Sequence, residues 1–200
     1  MIDNVFLSEV VATRLSHDII GNVGAVANAM ELLNDSEDGD DNSEVFKILN
    51  YSSDVLTKRM KFFRLCFGLN NSSIKLEEAE QIIKDYFTTL GTPKNKIKVD
   101  LEIASPQVYK LIMPAAMMMA DTLVKGGKIA IKQTEHNLMI AAVSEVALDE
   151  NKIKNIDLIL EGKEAQDNQS VYAPLYYLLN YLEGSRVPLK RLGNSLMIGD

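Results

Sequence analysis

Two histidines occur in the chain, and one of them, His17, lies in the run LSHDIIGNVGAV at residues 15–26, with an acid beside it and glycines a turn beyond. A neutral imidazole offers one ring nitrogen as nucleophile or base and the other as an N–H donor. Asp18 can accept from the remote ring N–H, fix the tautomer and leave the opposite nitrogen free to attack. The second histidine, His136, sits in the polar run TEHN.

Other chemistries lack their signatures. No P-loop, G-x-G loop, HExxH or nucleophile elbow is present, so nucleotide binding, zinc hydrolysis and serine acyl transfer have no motif to rest on. Cys66 is the single cysteine. It has no thiol partner for a disulfide or a zinc site and reads as a small buried apolar residue. The acidic connection holds Asp35, Glu37, Asp38, Asp40, Asp41 and Glu44, which do not follow the alternate-ligand spacing of a calcium loop and read as a solvated hairpin tip. The MMM run at 117–119 points three ways on a helix and reads as core.

The element that positions His17 is a long apolar-periodic helix, capped by Asp3 or Asn4 and running to about Leu33. At about 100° per residue, Val11, Leu15, Ile19, Val23, Val26, Met30 and Leu33 share one stripe, and His17 falls roughly 180° from its centre. His17 therefore faces outward. Thr13, Gly21, Gly24 and Asn28 lie on the same side, with Ile20 as an apolar spot nearby. Glycine inside a helix costs about 1 kcal/mol relative to alanine, so two beside one histidine suggest a close approach by another surface.

A second helix begins near Asp41, whose spacing to Glu44 is that of a capping box, and runs to about Phe67. Phe46, Leu49, Ser53, Leu56, Met60, Phe63 and Phe67 alternate three and four apart, the seam of a coiled coil. Two long helices joined by a short loop lie antiparallel, and a dimeric four-helix bundle would cover the apolar flanks that one hairpin leaves open. In such a hairpin Lys58, Arg59 and Lys61 come level with His17, where they can hold a phosphoryl group or an acidic partner, or pair with acids on a solvated face.

After GLNNSSIK, read as a linker, the chain looks α+β. LEEAEQIIKDYF is a short amphipathic helix and KIKVDLEI a strand. PQVYKLIMPAAMMMADTLVKGG is a buried helix stopped by Gly126 and Gly127, and KIAIKQ with NLMIAAVSE forms a hairpin. NIDLILEG and the Tyr-bearing VYAPLYYLLNYLEG are helices, the latter expected to pack its tyrosines against a sheet, and RVPLKRL and SLMIGD are terminal strands. The division expected is a helical hairpin over 1–68 and a small α/β sandwich over 75–200.

The composition is that of an ordinary globular protein, 46% hydrophobic and 24% charged. A net charge of −7 opposes broad nucleic-acid binding, which needs clustered Lys and Arg. No run approaches the roughly 20 apolar residues of a membrane span, and the N-terminus lacks a signal-peptide layout. The cytoplasm is the expected compartment.

The segment LSHDIIGNVGAVANAMELL resembles the H-box of bacterial two-component histidine kinases, and more closely the pattern of ChpT-type histidine phosphotransferases. Leu15, Ser16, His17, Asp18, Val23, Gly24, Ala25, Val26, Asn28, Glu31, Leu32 and Leu33 carry the likeness. ADTLVKGGKIAI and VYAPLYYLLNYLEG resemble later stretches of the same family, so the likeness spans nearly the whole chain. Two departures stand out. Asn22 replaces the family's proline, and Gly21 stands at the fourth position after His17, where kinases with phosphatase activity carry a polar residue; Asn22 is the candidate substitute.

The resemblance implies a homodimeric bundle and a second subdomain similar to a kinase ATP-binding domain that has lost nucleotide binding. The stretch MMMADTLVKGG has no asparagine where a kinase would contact adenine and metal. The function implied is a phosphorelay step. His17 accepts a phosphoryl group from a receiver-domain aspartate, in a hybrid histidine kinase, and passes it to response-regulator receivers. Asp18 orients the ring, and Thr13, Arg14, Ile20, Gly21, Asn22, Gly24, Asn28, Lys58, Arg59 and Lys61 support the site or dock the partner. No cofactor of its own is expected, and Mg2+ would come with the receiver. The rival readings are a dimeric adaptor that docks receivers without transfer, and a histidine kinase that still uses ATP.

Overall fold

The computed structural model describes residues 2–37, 41–69 and 74–199. The tip of the acidic connection at 38–40 and the 70–73 part of the expected linker lie outside the described residues.

Two long helices open the chain, α1 (Asn4–Asn34) and α2 (Ser43–Phe67). Asp3 caps α1 as its sequence suggests, accepting from the N–H groups of Val5 and Phe6 at 3.0 and 2.9 Å. The capping box expected for α2 does not form. Asn42 is the cap residue and makes no side-chain capping bond, while Asp41 accepts from the Ser43 N–H at 3.0 Å.

The rest of the chain is α+β. It runs α3 (Leu76–Thr88), β1 (Ile97–Glu102), a 3-10 turn (Pro106–Val108), α4 (Tyr109–Asp121), β2 (Gly127–Gln133), β3 (Asn137–Val143), α5 (Glu150–Leu160), a second 3-10 turn (Gln169–Tyr172), α6 (Ala173–Leu182), β4 (Leu189–Leu192) and β5 (Ser195–Gly199). The five strands form one mixed sheet in the order β1-β2-β3-β5-β4, with β1 parallel to β2 and the other pairs antiparallel. The parallel pair requires a crossover, which α4 supplies on the buried face of β2, β3 and β5.

The helix α4 ends at Asp121, short of the expected stop at Gly126 and Gly127. Those glycines turn the chain into β2 instead. Gly126 has φ +74°, and a Cβ there would fall 2.6 Å from the Lys96 carbonyl oxygen, so the close approach of β1 requires glycine.

Met117, Met118 and Met119 are all buried, as expected of core filling. Two tyrosines of the last helix pack on the hairpin rather than on the expected sheet, and Tyr181 is exposed and stacks on Tyr177. Tyr176 meets Phe6 of α1 edge to face at 5.2 Å between ring centroids, and Tyr177 meets Phe67 of α2 at 4.9 Å. The two expected units therefore share a core. Val10, Phe62, Phe63 and Cys66 of the hairpin belong to the same apolar cluster as Ile83, Ile112, Met117 and Ile140.

Ala29, Ser52 and Val55 are buried between the two helices, but part of the hairpin's apolar surface is left uncovered. Val23, Met30, Phe46, Ile48, Tyr51 and Met60 are exposed, so the seam read along α2 is only partly covered within one chain. Among the described residues no helix is long and apolar enough to cross a membrane.

Candidate functional site

His17 lies in the middle of α1 with its side chain 84% exposed. The helical wheel sets this orientation, because the stripe centred near Leu15 and Ile19 faces α2 and the common core. Thr13, Ser16, Ile20, Gly21 and Asn28 are exposed along the same helix, and Asn22 and Gly24 are half-buried. A Cβ built on Gly21 or Gly24 would meet nothing within 4 Å. Neither glycine answers a packing need inside the chain, and the surface beside the imidazole is low and open.

Asp18 lies behind the ring, with its side chain 17% exposed. Its Oδ1 is 3.6 Å from His17 Nδ1, within ion-pair reach but beyond hydrogen-bond length. Its Oδ2 accepts from Arg14 Nε at 2.9 Å. Asp18 thus divides its oxygens between the imidazole and an arginine.

Arg14, expected to support or dock, points inward, with a side chain only 11% exposed. Its Nη1 donates to Asp121 Oδ2 at 2.6 Å and to the Val171 carbonyl at 3.0 Å, and its Nη2 donates to Asp121 Oδ1 at 3.2 Å. Burial opposes the charge, but Asp121 and then Asp18 outweigh it and hold the guanidinium pKa above its ordinary value. Arg14 is a joint between α1 and the α/β layer and has little surface to offer a partner.

Of the three cations expected near His17, Arg59 is the one tied to this turn. It is half-buried and donates to the Asp18 carbonyl through Nη1, to Thr89 Oγ1 through Nε at 3.3 Å, and to the Thr89 carbonyl through Nη2 at 3.2 Å. Lys58 pairs with Asp54 of its own helix at 2.6 Å. Lys61 is exposed and lines a shallow apolar groove with Leu15, Leu56, Met60 and Phe63. Cys66 is fully buried, and burial pushes its thiol pKa well up, away from reactive thiolate.

Asp121 and Thr89 were not singled out from sequence. Their only signal was position, each lying at or just past the C-terminal end of a helix. They reach the site because the α/β layer folds back on the hairpin, a relation local patterns do not encode.

The architecture superposes on a solved bacterial phosphotransferase with a TM-score of 0.76, covering 99% of this chain and 97% of that one at 17% identity. At that identity the likeness is one of fold. The sequence profile of the family described as "Histidine phosphotransferase C-terminal domain" matches residues 76–189, and the chain belongs to that family. It is also similar to the protein phosphotransferase ChpT of Brucella abortus (strain 2308), with 26% identity over 191 aligned positions covering 84% of this chain and 90% of that protein.

Proposed function

We propose that the chain is a homodimeric histidine phosphotransferase of a bacterial two-component phosphorelay, with His17 as the residue that carries the phosphoryl group. The observation that carries this reading is the outward imidazole, 84% exposed and backed by a carboxylate, on a helix whose neighbouring glycines leave room for another protein.

In the forward step Nε2 of His17 attacks the phosphorus of a receiver's aspartyl phosphate in line. Its lone pair forms the N–P bond while the P–O bond breaks, and the electron pair leaves on the receiver's carboxylate. The Nδ1 proton stays on the ring, where Asp18 offsets the positive charge that develops. The reverse step, onto a second receiver, uses the same geometry. Phosphoryl transfer needs positioning and charge neutralisation above all, and a magnesium ion and a lysine brought by the receiver would supply the neutralising charge.

A second copy of the chain covers the bare flanks of the hairpin. Phe46 and Met60, 54% and 52% exposed, lie on the seam read from α2, and Val23 and Met30 continue the apolar stripe of α1. The α/β layer, similar in the family to a kinase ATP-binding domain, serves to hold the hairpin rather than to bind nucleotide, and the cytoplasm is the compartment where receivers are met.

The test is transfer from phosphorylated receiver domains to the wild type and to His17→Gln. Transfer to the wild type and none to the variant, with the dimer retained, is the expected result. Equal loss of label from the receiver with both proteins refutes the assignment.

A further inference from the structure

We infer that Asp121 is a positioning residue for the reaction at His17, acting across the chain through Arg14 and Asp18. This rests on the reading of His17 as the phosphoryl carrier and assigns a task in it to the α/β layer.

The contacts form one line. The Asp121 carboxylate takes both terminal nitrogens of Arg14, at 2.6 and 3.2 Å. The Nε of the same guanidinium donates to Asp18 Oδ2 at 2.9 Å, and Asp18 Oδ1 faces His17 Nδ1 at 3.6 Å. A guanidinium is a rigid plane of donors, so fixing its terminal nitrogens fixes where Nε points. Asp121 therefore aims Arg14, and Arg14 holds Asp18 with one oxygen turned to the imidazole.

Charge acts in the same sense. The ion-paired set of Arg14, Asp18 and Asp121 holds one cation and two carboxylates, all with side chains less than one quarter exposed, while the second cation nearby, Arg59, is held by the Asp18 backbone carbonyl and by Thr89. With Asp121 neutralising the guanidinium, Asp18 keeps negative charge for the Nδ1–H of His17. Without it, Arg14 pairs with Asp18 alone, and the oxygen facing the ring attracts the Nδ1–H less. Asp121 is itself well placed to be a fixed point. Its carbonyl accepts from Lys152 Nζ at 2.5 Å, and the next carbonyl, of Thr122, accepts from the Asp149 N–H at 2.9 Å.

The consequence is a tautomer preference. A hydrogen on Nδ1 leaves the Nε2 lone pair free to form the N–P bond. Weakening Asp18 shifts the hydrogen toward Nε2 and takes that lone pair away.

The test uses the full chain with 15N-labelled histidine. The imidazole 15N shifts report the tautomer ratio, and phosphoramidate serves as a small donor, its P–N bond breaking with release of ammonia as the His17 N–P bond forms. His136, exposed in the β2–β3 turn, is the internal reference. Asp121→Asn is expected to lower both the Nδ1–H to Nε2–H ratio and the labelling rate at His17 about threefold, the scale of a solvent-exposed charge pair, and to leave His136 unchanged. Asp121→Glu restores most of both. In an Asp18→Asn background, Asp121→Asn adds nothing.

A folded Asp121→Asn protein with wild-type ratio and rate overturns the inference. If that variant does not fold, Arg14→Lys, which keeps the charge but loses the fork, carries the same expectation, and an unchanged ratio there overturns it equally. Wild-type His17 labelled no faster than His136 sinks the phosphoryl-carrier reading instead, which separates the two failures.

Discussion

Arg14 and Asp121 stand 107 positions apart in the chain, and the Nη1 of one lies 2.6 Å from the Oδ2 of the other. This ion pair joins the hairpin to the α/β layer one helical turn before His17. Removing only the cation leaves two carboxylates facing each other at a site largely closed to water. Arg14→Met is therefore expected to lower the unfolding free energy by roughly 3 kcal/mol, the scale of a broken buried pair. Urea denaturation followed by circular dichroism measures it, and a loss below about 1 kcal/mol, the range of a surface pair, means the joint carries little.

The glycines beside His17 predict a separation of stability from transfer. Nothing in the chain lies within 4 Å of a Cβ added at Gly21 or Gly24. Gly24→Ala should stabilise the hairpin by about 0.5–1 kcal/mol through helix propensity, measured as a higher melting temperature. If the open surface admits a receiver domain, the same variant slows transfer from a phosphorylated receiver but leaves phosphoramidate labelling unchanged.

The uncovered seam predicts an oligomeric state. Met60→Asp and Phe46→Asp each place a charge where the proposed bundle is apolar, and burying a charge without a partner is strongly unfavourable. Sedimentation velocity should find the wild type at twice the chain mass and the variants at one. A wild type that sediments as a single chain at micromolar concentration removes the dimer from the account.

Much of this was legible from local pattern. A cap at Asp3 or Asn4, the span of both long helices, the outward His17 and the core role of Met117–Met119 follow from periodicity and from capping chemistry that lies within one turn, and the structure places the cap at Asp3. The inward course of Arg14 did not, because its partners come from α4 and the turn before α6. An arginine on a helix flank reads the same whether it meets solvent or a distant aspartate. Likewise Tyr176 and Tyr177 mark a packed helical face, but the sheet expected beneath it is the hairpin instead, because periodicity does not encode which neighbour a face covers. The end of α4 at Asp121 escaped because two glycines further on offered a stronger stop signal, one that serves the turn into β2.

Tyr109 gives a pH dependence. It is 2% exposed and donates its hydroxyl to the Leu76 carbonyl at 3.0 Å, and burial, with Glu80 and Glu77 nearby, pushes its pKa up to about 12. Between its ordinary value of 10.0 and about 12 the unfolded chain loses this proton while the folded chain keeps it, so stability falls as pH rises through that window. Tyr109→Phe lacks the hydroxyl and its hydrogen bond, so at neutral pH it should be less stable by about 1 kcal/mol. The gap to the wild type should narrow above pH 10, as followed by thermal melts across the range.

The most direct measurement is to find the atom that receives phosphorus. The wild-type protein is incubated with a phosphorylated receiver domain and Mg2+, and the product is mapped by 31P NMR at alkaline pH and by electron-transfer mass spectrometry. The account predicts an acid-labile phosphoramidate on His17 Nε2, formed as the receiver loses its phosphate. Phosphate on His136 or on a carboxylate, or a receiver that binds yet keeps its phosphate, contradicts it.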